Sequence, residues 1–286
     1  MKFYFITNST ELATFAMANG ADRIFVDLEI AGKELRQGHL STVISRHAIA
    51  DVARLRPHVP AGALLVRINP MNVDSNAEID AVVSAGADIV MLPMFHEPAA
   101  VADFVRLVGG RARTILLVET VGAMQTLEQC VALPGVDEIH IGLNDLHLEL
   151  RNSFMFEPLA DGLVDTMAAI LTRADIPFGI GGLARVGEGL LPAELILAEH
   201  ARLGSTAAIL SRTFHRQAAS VAAIEADMDF GAEVQKLRAA YAEHCGSGPQ
   251  HLQHQHLRAV EKIRMIAGAM PARANEAKQT PGPAYA

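Results

Sequence analysis

Five ionisable residues stand at or just beyond the ends of short apolar runs, where a charged side chain has no packing role. Glu119 ends LLVE, Asp145 ends IHIGLND, Arg67 follows ALLV, and Asp27 and Glu29 close the stretch IFVDLE. Glu119 and Asp145 lie about one βα unit apart, each at the expected end of a buried strand. Neighbouring parallel strands are ~4.8 Å apart, so two such carboxylates can converge on one ion. An oxygen-only pair suits a hard divalent cation, Mg²⁺ or Mn²⁺. Arg67 offers a planar fork that fits a carboxylate or enolate oxygen. The alternative for Arg67 is an ion pair with Asp27 or Glu29 that merely closes the barrel.

The elements that must position these groups are legible as an alternation. Apolar runs recur at Phe3–Ile6, Arg23–Leu28, Ala63–Ile68, Asp88–Leu92, Thr114–Val118, Glu138–Gly142, Phe178–Ile180 and Ala207–Leu210. Longer stretches with helical spacing lie between them, such as Glu11–Ala18, Val43–Leu55, Ala99–Leu107 and Pro158–Arg173. The runs are apolar at consecutive positions, as in parallel strands covered on both faces. Strand–helix units of this number predict a (β/α)₈ TIM barrel, whose reactive groups sit at the C-terminal strand ends. The rival open doubly wound sheet would carry a glycine-rich turn after its first strand. Here that turn reads Thr7-Asn8-Ser9-Thr10.

The barrel is expected over residues 1–220. A C-terminal helical extension follows over 221–270, with helices at Val221–Tyr241 and Leu252–Gly268 separated by Gly246-Ser247-Gly248-Pro249. This extension is expected to pack on a neighbouring subunit or to fold back on its own barrel. The tail 271–286, rich in Ala, Pro and small polar residues, is expected to be disordered.

Bulk composition narrows the function. The chain has 286 residues, half of them apolar, and a formal charge of −8. That charge supplies no basic stripe for a nucleic acid. No apolar stretch approaches the ~18 residues of a membrane span. The start MKFYFITNST reads as a strand and not a signal peptide. The two cysteines, Cys130 and Cys245, form no metal or disulfide framework. Together these features predict a soluble cytoplasmic protein without nucleic-acid or membrane partners.

Five stretches in series, Val26-Asp-Leu-Glu29, Leu65-Val-Arg-Ile-Asn69, Gly86-Ala-Asp-Ile-Val-Met-Leu-Pro93, Val118-Glu-Thr120 and Ile141-Gly-Leu-Asn-Asp-Leu146, resemble the HpcH/HpaI aldolase and citrate lyase β-subunit family. The resemblance spans about Lys2 to Arg212. It implies a TIM barrel, a divalent metal held by Glu119 and Asp145, and a substrate carboxylate and oxo oxygen bound by Arg67. It also implies a homo-oligomer, a trimer or hexamer, and a small 2-oxo acid or related carboxylate as substrate. Asp27 and Glu29 are further substrate-binding candidates.

The departures from that pattern bear on the substrate. The aldolases carry a histidine after the strand-two Asp-x-Glu, where this chain has Ile30. The CoA-ester lyases carry a lysine where Met94 stands, and the usual glycine after the strand-six Asp-Leu is replaced within Leu150-Arg-Asn152. His147, two residues past Asp145, is the candidate for moving protons. His39, His47 and a metal-bound water are the alternatives. His140 in the sixth run faces either the helices or the lumen.

Two further groups remain. Gly179-Ile-Gly-Gly182 and Leu210-Ser-Arg-Thr213 fall where barrels often bind phosphate, or simply permit tight turns. His244, His251, His254 and His256 lack the spacing of a zinc site and read as a solvated helix face. The expected function is a metal-dependent carbon–carbon lyase working through a metal-stabilised enolate. An acyl-CoA thioester lyase and a catalytically weak metabolite-binding barrel are the alternatives.

Overall fold

The computed structural model describes residues 1–30, 47–216 and 218–270. His39, the first residues of the stretch Val43–Leu55 and the tail 271–286 lie outside them. The eight predicted runs all form strands: β1 (Lys2–Ile6), β2 (Arg23–Asp27), β3 (Leu64–Arg67), β4 (Ile89–Leu92), β5 (Arg113–Val118), β6 (Glu138–Ile141), β7 (Phe178–Leu183) and β8 (Ala207–Leu210). They pair in parallel and in sequence order, and β8 returns to β1 to close the barrel. Helices occupy the connections, as expected for a (β/α)₈ barrel. Among the described residues no helix is long and apolar enough to cross a membrane.

Closure splits the apolar side chains into two cores. Alternate residues, including Tyr4, Phe25, Leu65, Met91, Ile115 and Leu117, fill the lumen. The other parity, including Phe3, Phe5, Ile24, Val66 and Val90, packs under the helices. At the N-terminal end the lumen is floored by charge. Arg23 makes two bonds of 2.7 Å to Glu138 and one of 2.9 Å to the Tyr4 hydroxyl. Lys2 and Arg113 also reach Glu138, at 3.7 and 2.6 Å. The ion pair that closes the barrel floor is thus Arg23–Glu138. Arg67 lies at the opposite end.

The C-terminal segment differs in part from its expected form. Val221–Tyr241 is broken into Val221–Asp227 and Phe230–Gly246, while the following helix runs from Pro249 to Ala269. Phe230 stacks edge-on with Phe5, Phe15 and Phe214 at 5.4–5.5 Å. Arg238 donates to the carbonyls of Met1 and Gly20 and to Asp22, at 2.7–2.8 Å. Phe230–Gly246 therefore covers the outer face of β1 and supplies the barrel's eighth helix, carrying the barrel past residue 220. Pro249–Ala269 packs on Ala193–Leu203 and Glu157–Ala160 of the same chain. Of the histidines there, His254 is exposed as a solvated face requires, and the other three are not. His244 meets His251 at 3.3 Å and His256 meets the buried Glu199 at 3.1 Å.

Candidate active site

A cavity of about 810 Å³ opens at the C-terminal strand ends and is lined by Asp27, Arg67, Glu119 and Asp145. Asp27 and Arg67 are register partners at the ends of β2 and β3, and the shared parity turns both inward. Arg67 donates through Nε and Nη2 to the two Asp27 oxygens, each at 2.9 Å. Its Nη1 lies 3.2 Å from Glu29. The ion pair weighed from the sequence is therefore present, and it involves both carboxylates. Burial works against the guanidinium charge, but Asp27 and Glu29 more than offset it and push the pKa up. Glu29 is buried and does not line the cavity, but its charge reaches both Arg67 and Glu119 there. Three of the five N–H groups of Arg67 are used in these contacts, leaving one on Nη1 and one on Nη2.

Glu119 directly follows β5 and is 3 % exposed. Its Oε1 accepts the Met94 amide at 3.1 Å. Met94 adopts φ 50°, in the left-handed region. The position where the CoA-ester lyases carry a lysine thus contributes a backbone N–H. Burial, followed by the negative charges of Asp145 and Glu29, raises the Glu119 pKa to about 8 against the pull of Arg67. Gly142 leaves room for this carboxylate, since a Cβ there would sit 2.8 Å from the Glu119 Cβ.

Asp145 is not at a strand end. β6 stops at Ile141, and Asp145 lies in the first turn of the helix Leu143–Glu149. Leu143, Leu146 and His147 bury one face of that helix, and a first-turn aspartate complements its dipole. Asp145 lines the cavity with Glu119 all the same. Among the described residues no set of three His, Cys, Asp or Glu side chains is grouped to hold a metal. The protein offers this pair.

His147 does not line the cavity. It is buried, and its Nδ1 contacts the carbonyls of Leu143 and Asn144 in its own helix. The histidines that do line the cavity are His47, His140 and His215. Nδ1 of His47 accepts the Asp27 amide at 3.0 Å, so the neutral ring keeps its proton on Nε2 and presents a donor. His140 projects into the lumen, with Nε2 against the Gly181 carbonyl at 3.1 Å. A carbonyl can only accept, so Nδ1 carries the lone pair. That atom is buried and has no hydrogen-bond partner among the described residues.

Burial pushes the pKa of His140 down to about 4 and that of His200 down to about 3. Unfolded histidines titrate near ~6.5. Between these values the unfolded chain binds more protons, so stability rises with pH there and is lost as pH falls below about 6.5. Each histidine should contribute on the order of 3 kcal/mol across that window. His140→Gln should therefore flatten the curve of urea-derived stability against pH between 7 and 4.5. A curve parallel to the parent's would show that His140 titrates normally in the fold.

With this geometry in hand, the chain can be placed. The family model for HpcH/HpaI aldolase/citrate lyase matches residues 1–157, more than half of the sequence. The chain belongs to that family. The matched part holds Asp27, Glu29, Arg67, Glu119 and Asp145, and membership sets the protein among the aldolase- and citrate-lyase-type lyases. Among curated proteins none matches it in sequence. Solved structures share the fold at low identity. An HpcH/HpaI aldolase from Desulfitobacterium hafniense superposes with TM-score 0.57 at 14 % identity, over 73 % of this chain and 85 % of its own. A family member from Burkholderia cenocepacia gives 0.57 at 18 %, over 83 % and 93 %. RipC from Yersinia pestis gives 0.56 at 18 %, over 83 % and 94 %.

Proposed function

We propose that this member of the family makes or breaks a carbon–carbon bond next to a 2-oxo acid or related carboxylate. The observation that carries this reading is the meeting of Glu119, Asp145 and Arg67 in one cavity. Arg67 is held in a fixed plane by Asp27 and Glu29, and its remaining N–H groups suit the carboxylate and oxo oxygens of such a substrate. Cleavage leaves an enolate, whose developing negative charge a preorganised guanidinium stabilises by ~3–4 kcal/mol. The donor raises the rate because it is better matched to the enolate than to the substrate.

The donor set also fits a hard divalent cation. Glu119 is a buried carboxylate whose ionisation is opposed by Asp145 and Glu29, a local surplus of negative charge that a cation would relieve. Glu119 and Asp145 would hold Mg²⁺ or Mn²⁺. When bound, the ion would supply Lewis acidity towards the oxo group. The acyl-CoA alternative is disfavoured because Met94 brings no cation to the place of the lysine.

Asp145→Asn tests the cation assignment. It removes one anionic ligand and should weaken Mn²⁺ binding by about tenfold or more in a calorimetric titration, with the fold retained. Equal affinity in the variant would refute the assignment. Metal-dependent exchange of pyruvate protons into deuterated water tests the chemistry without knowledge of the second substrate. A parent enzyme that shows no such exchange would refute the lyase reading.

A further inference from the structure

Two histidines of the C-terminal helices meet outside the barrel. His244 lies in the last turn of Phe230–Gly246 and His251 in the first turn of Pro249–Ala269. They are seven positions apart along the chain, outside the usual zinc-ligand spacings, yet the intervening turn folds one ring onto the other. That turn is fixed by its own hydrogen bonds. Ser247 donates its amide to the His244 carbonyl at 3.1 Å and its hydroxyl to the Glu243 carbonyl at 2.8 Å. The His251 amide reaches the Gly248 carbonyl at 3.0 Å. Both helices also pack on Ala193–Leu203, so the rings are held from beneath as well as through the turn.

Nδ1 of His244 lies 3.3 Å from Nε2 of His251. For a hydrogen bond this is a long contact. For two nitrogens on one ion it is the expected separation. Zn–N bonds of ~2.0–2.1 Å at a tetrahedral angle set the nitrogens ~3.3–3.4 Å apart. The His244 ring also hydrogen-bonds the Glu194 backbone, as metal-bound imidazoles commonly do through their second nitrogen. With Nδ1 turned to His251, that donor is Nε2, which leaves the lone pair on Nδ1. Burial, then the nearby His251, holds the His244 pKa below the usual range, so at neutral pH the ring has the uncharged form a ligand needs. Glu194 itself opens Ala193–Leu203 on the near side. Its charge acts on His244, and its Oε2 is buried with no hydrogen-bond partner among the described residues. Such an oxygen is costly without a partner, and a cation beside it would relieve that cost. Neither histidine lines the barrel cavity.

We propose that His244 and His251 form a site for a borderline divalent cation of the Zn²⁺ class, apart from the oxygen pair Glu119–Asp145. Imidazole nitrogen suits Zn²⁺ as carboxylate oxygen suits Mg²⁺ or Mn²⁺. Among the described residues no third His, Cys, Asp or Glu side chain is grouped with the two rings. Water therefore fills the remaining positions, and Glu194 supplies balancing charge. The ion would clip the end of Phe230–Gly246, the helix that covers β1, to Pro249–Ala269. The site stands or falls independently of the chemistry in the barrel.

The test is calorimetric titration of Zn²⁺ into the full chain, free of any affinity tag and stripped of metal with a chelator. Saturating Mg²⁺ is present throughout to fill the carboxylate pair. The parent should bind one Zn²⁺ that both His251→Gln and His244→Gln lack. His251 is half-buried at a helix start, so glutamine there should keep the fold. At a hundredfold excess over Kd, Zn²⁺ should raise the thermal midpoint of the parent by about 5 °C, a rise absent from His251→Gln. His254→Gln, at an exposed position one turn further on, should bind Zn²⁺ as the parent does. A parent that takes up no Zn²⁺ beside saturating Mg²⁺ would overturn the site. So would the full Zn²⁺ stoichiometry in His251→Gln, or its loss in His254→Gln.

Discussion

Arg67→Lys should lower the rate of pyruvate proton exchange by about 10²-fold or more, the loss associated with one oxyanion donor. The side chain performs two tasks at once. Two of its nitrogens hold Asp27 in a parallel fork and a third reaches Glu29, yet Nη1 and Nη2 each keep one N–H for the substrate. An ammonium has three donors on one atom and no plane, so it can satisfy the carboxylates only by turning away from the ligand. The charge beside the buried Asp27 and Glu29 is retained, which limits the cost to the fold. Mn²⁺ affinity should change little, because Glu119 and Asp145 are untouched. Exchange at the parent rate would mean that Arg67 only ties β2 to β3, and the mechanism proposed above would fail with it.

Phe230→Ala should cost about 3–5 kcal/mol of unfolding free energy, the range for truncating a buried phenylalanine in a well-packed core. Its ring fills the space between Phe5 on β1, Phe15 on the helix Thr10–Ala18 and Phe214 in the turn after β8. The start and the end of the barrel are joined there, so the loss would be felt across the closure. Urea unfolding measures it directly, as a fall in the midpoint at unchanged slope. For the same reason a chain ending near Arg216 should not give a folded barrel, since it would bare the outer face of β1. A cost below about 1 kcal/mol would show that Phe230–Gly246 is an appendage and not the eighth helix.

The order of the elements follows from the sequence because each strand is a local apolar run bounded by helical spacing. All eight runs became strands, and short connections joining parallel neighbours leave few topologies besides a closed barrel. Arg67 and Glu119 were legible as site candidates for a related reason: a charge that ends a doubly covered strand has no other place to go. Asp145 was legible as a candidate but not in its setting. The boundary between β6 and the helix Leu143–Glu149 falls at the single residue Gly142, between Ile141 and Leu143, and only the burial of Leu143 and Leu146 reveals the helical period.

Tertiary structure alone decided which way each strand residue points. Strands buried on both faces carry no polar alternation, so the inward parity cannot be read from the runs themselves. His140 could equally have met the helices, and closure turned it into the lumen. The floor pair Arg23–Glu138 joins residues 115 positions apart, and the Phe5–Phe230 contact joins the two ends of the barrel. Neither has a local signature, because such contacts exist only once the ring has closed. The composition of the cavity has the same origin. Residues from β2, β3, β5 and the turn after β8 are remote along the chain, and the cyclic strand order brings them to one rim.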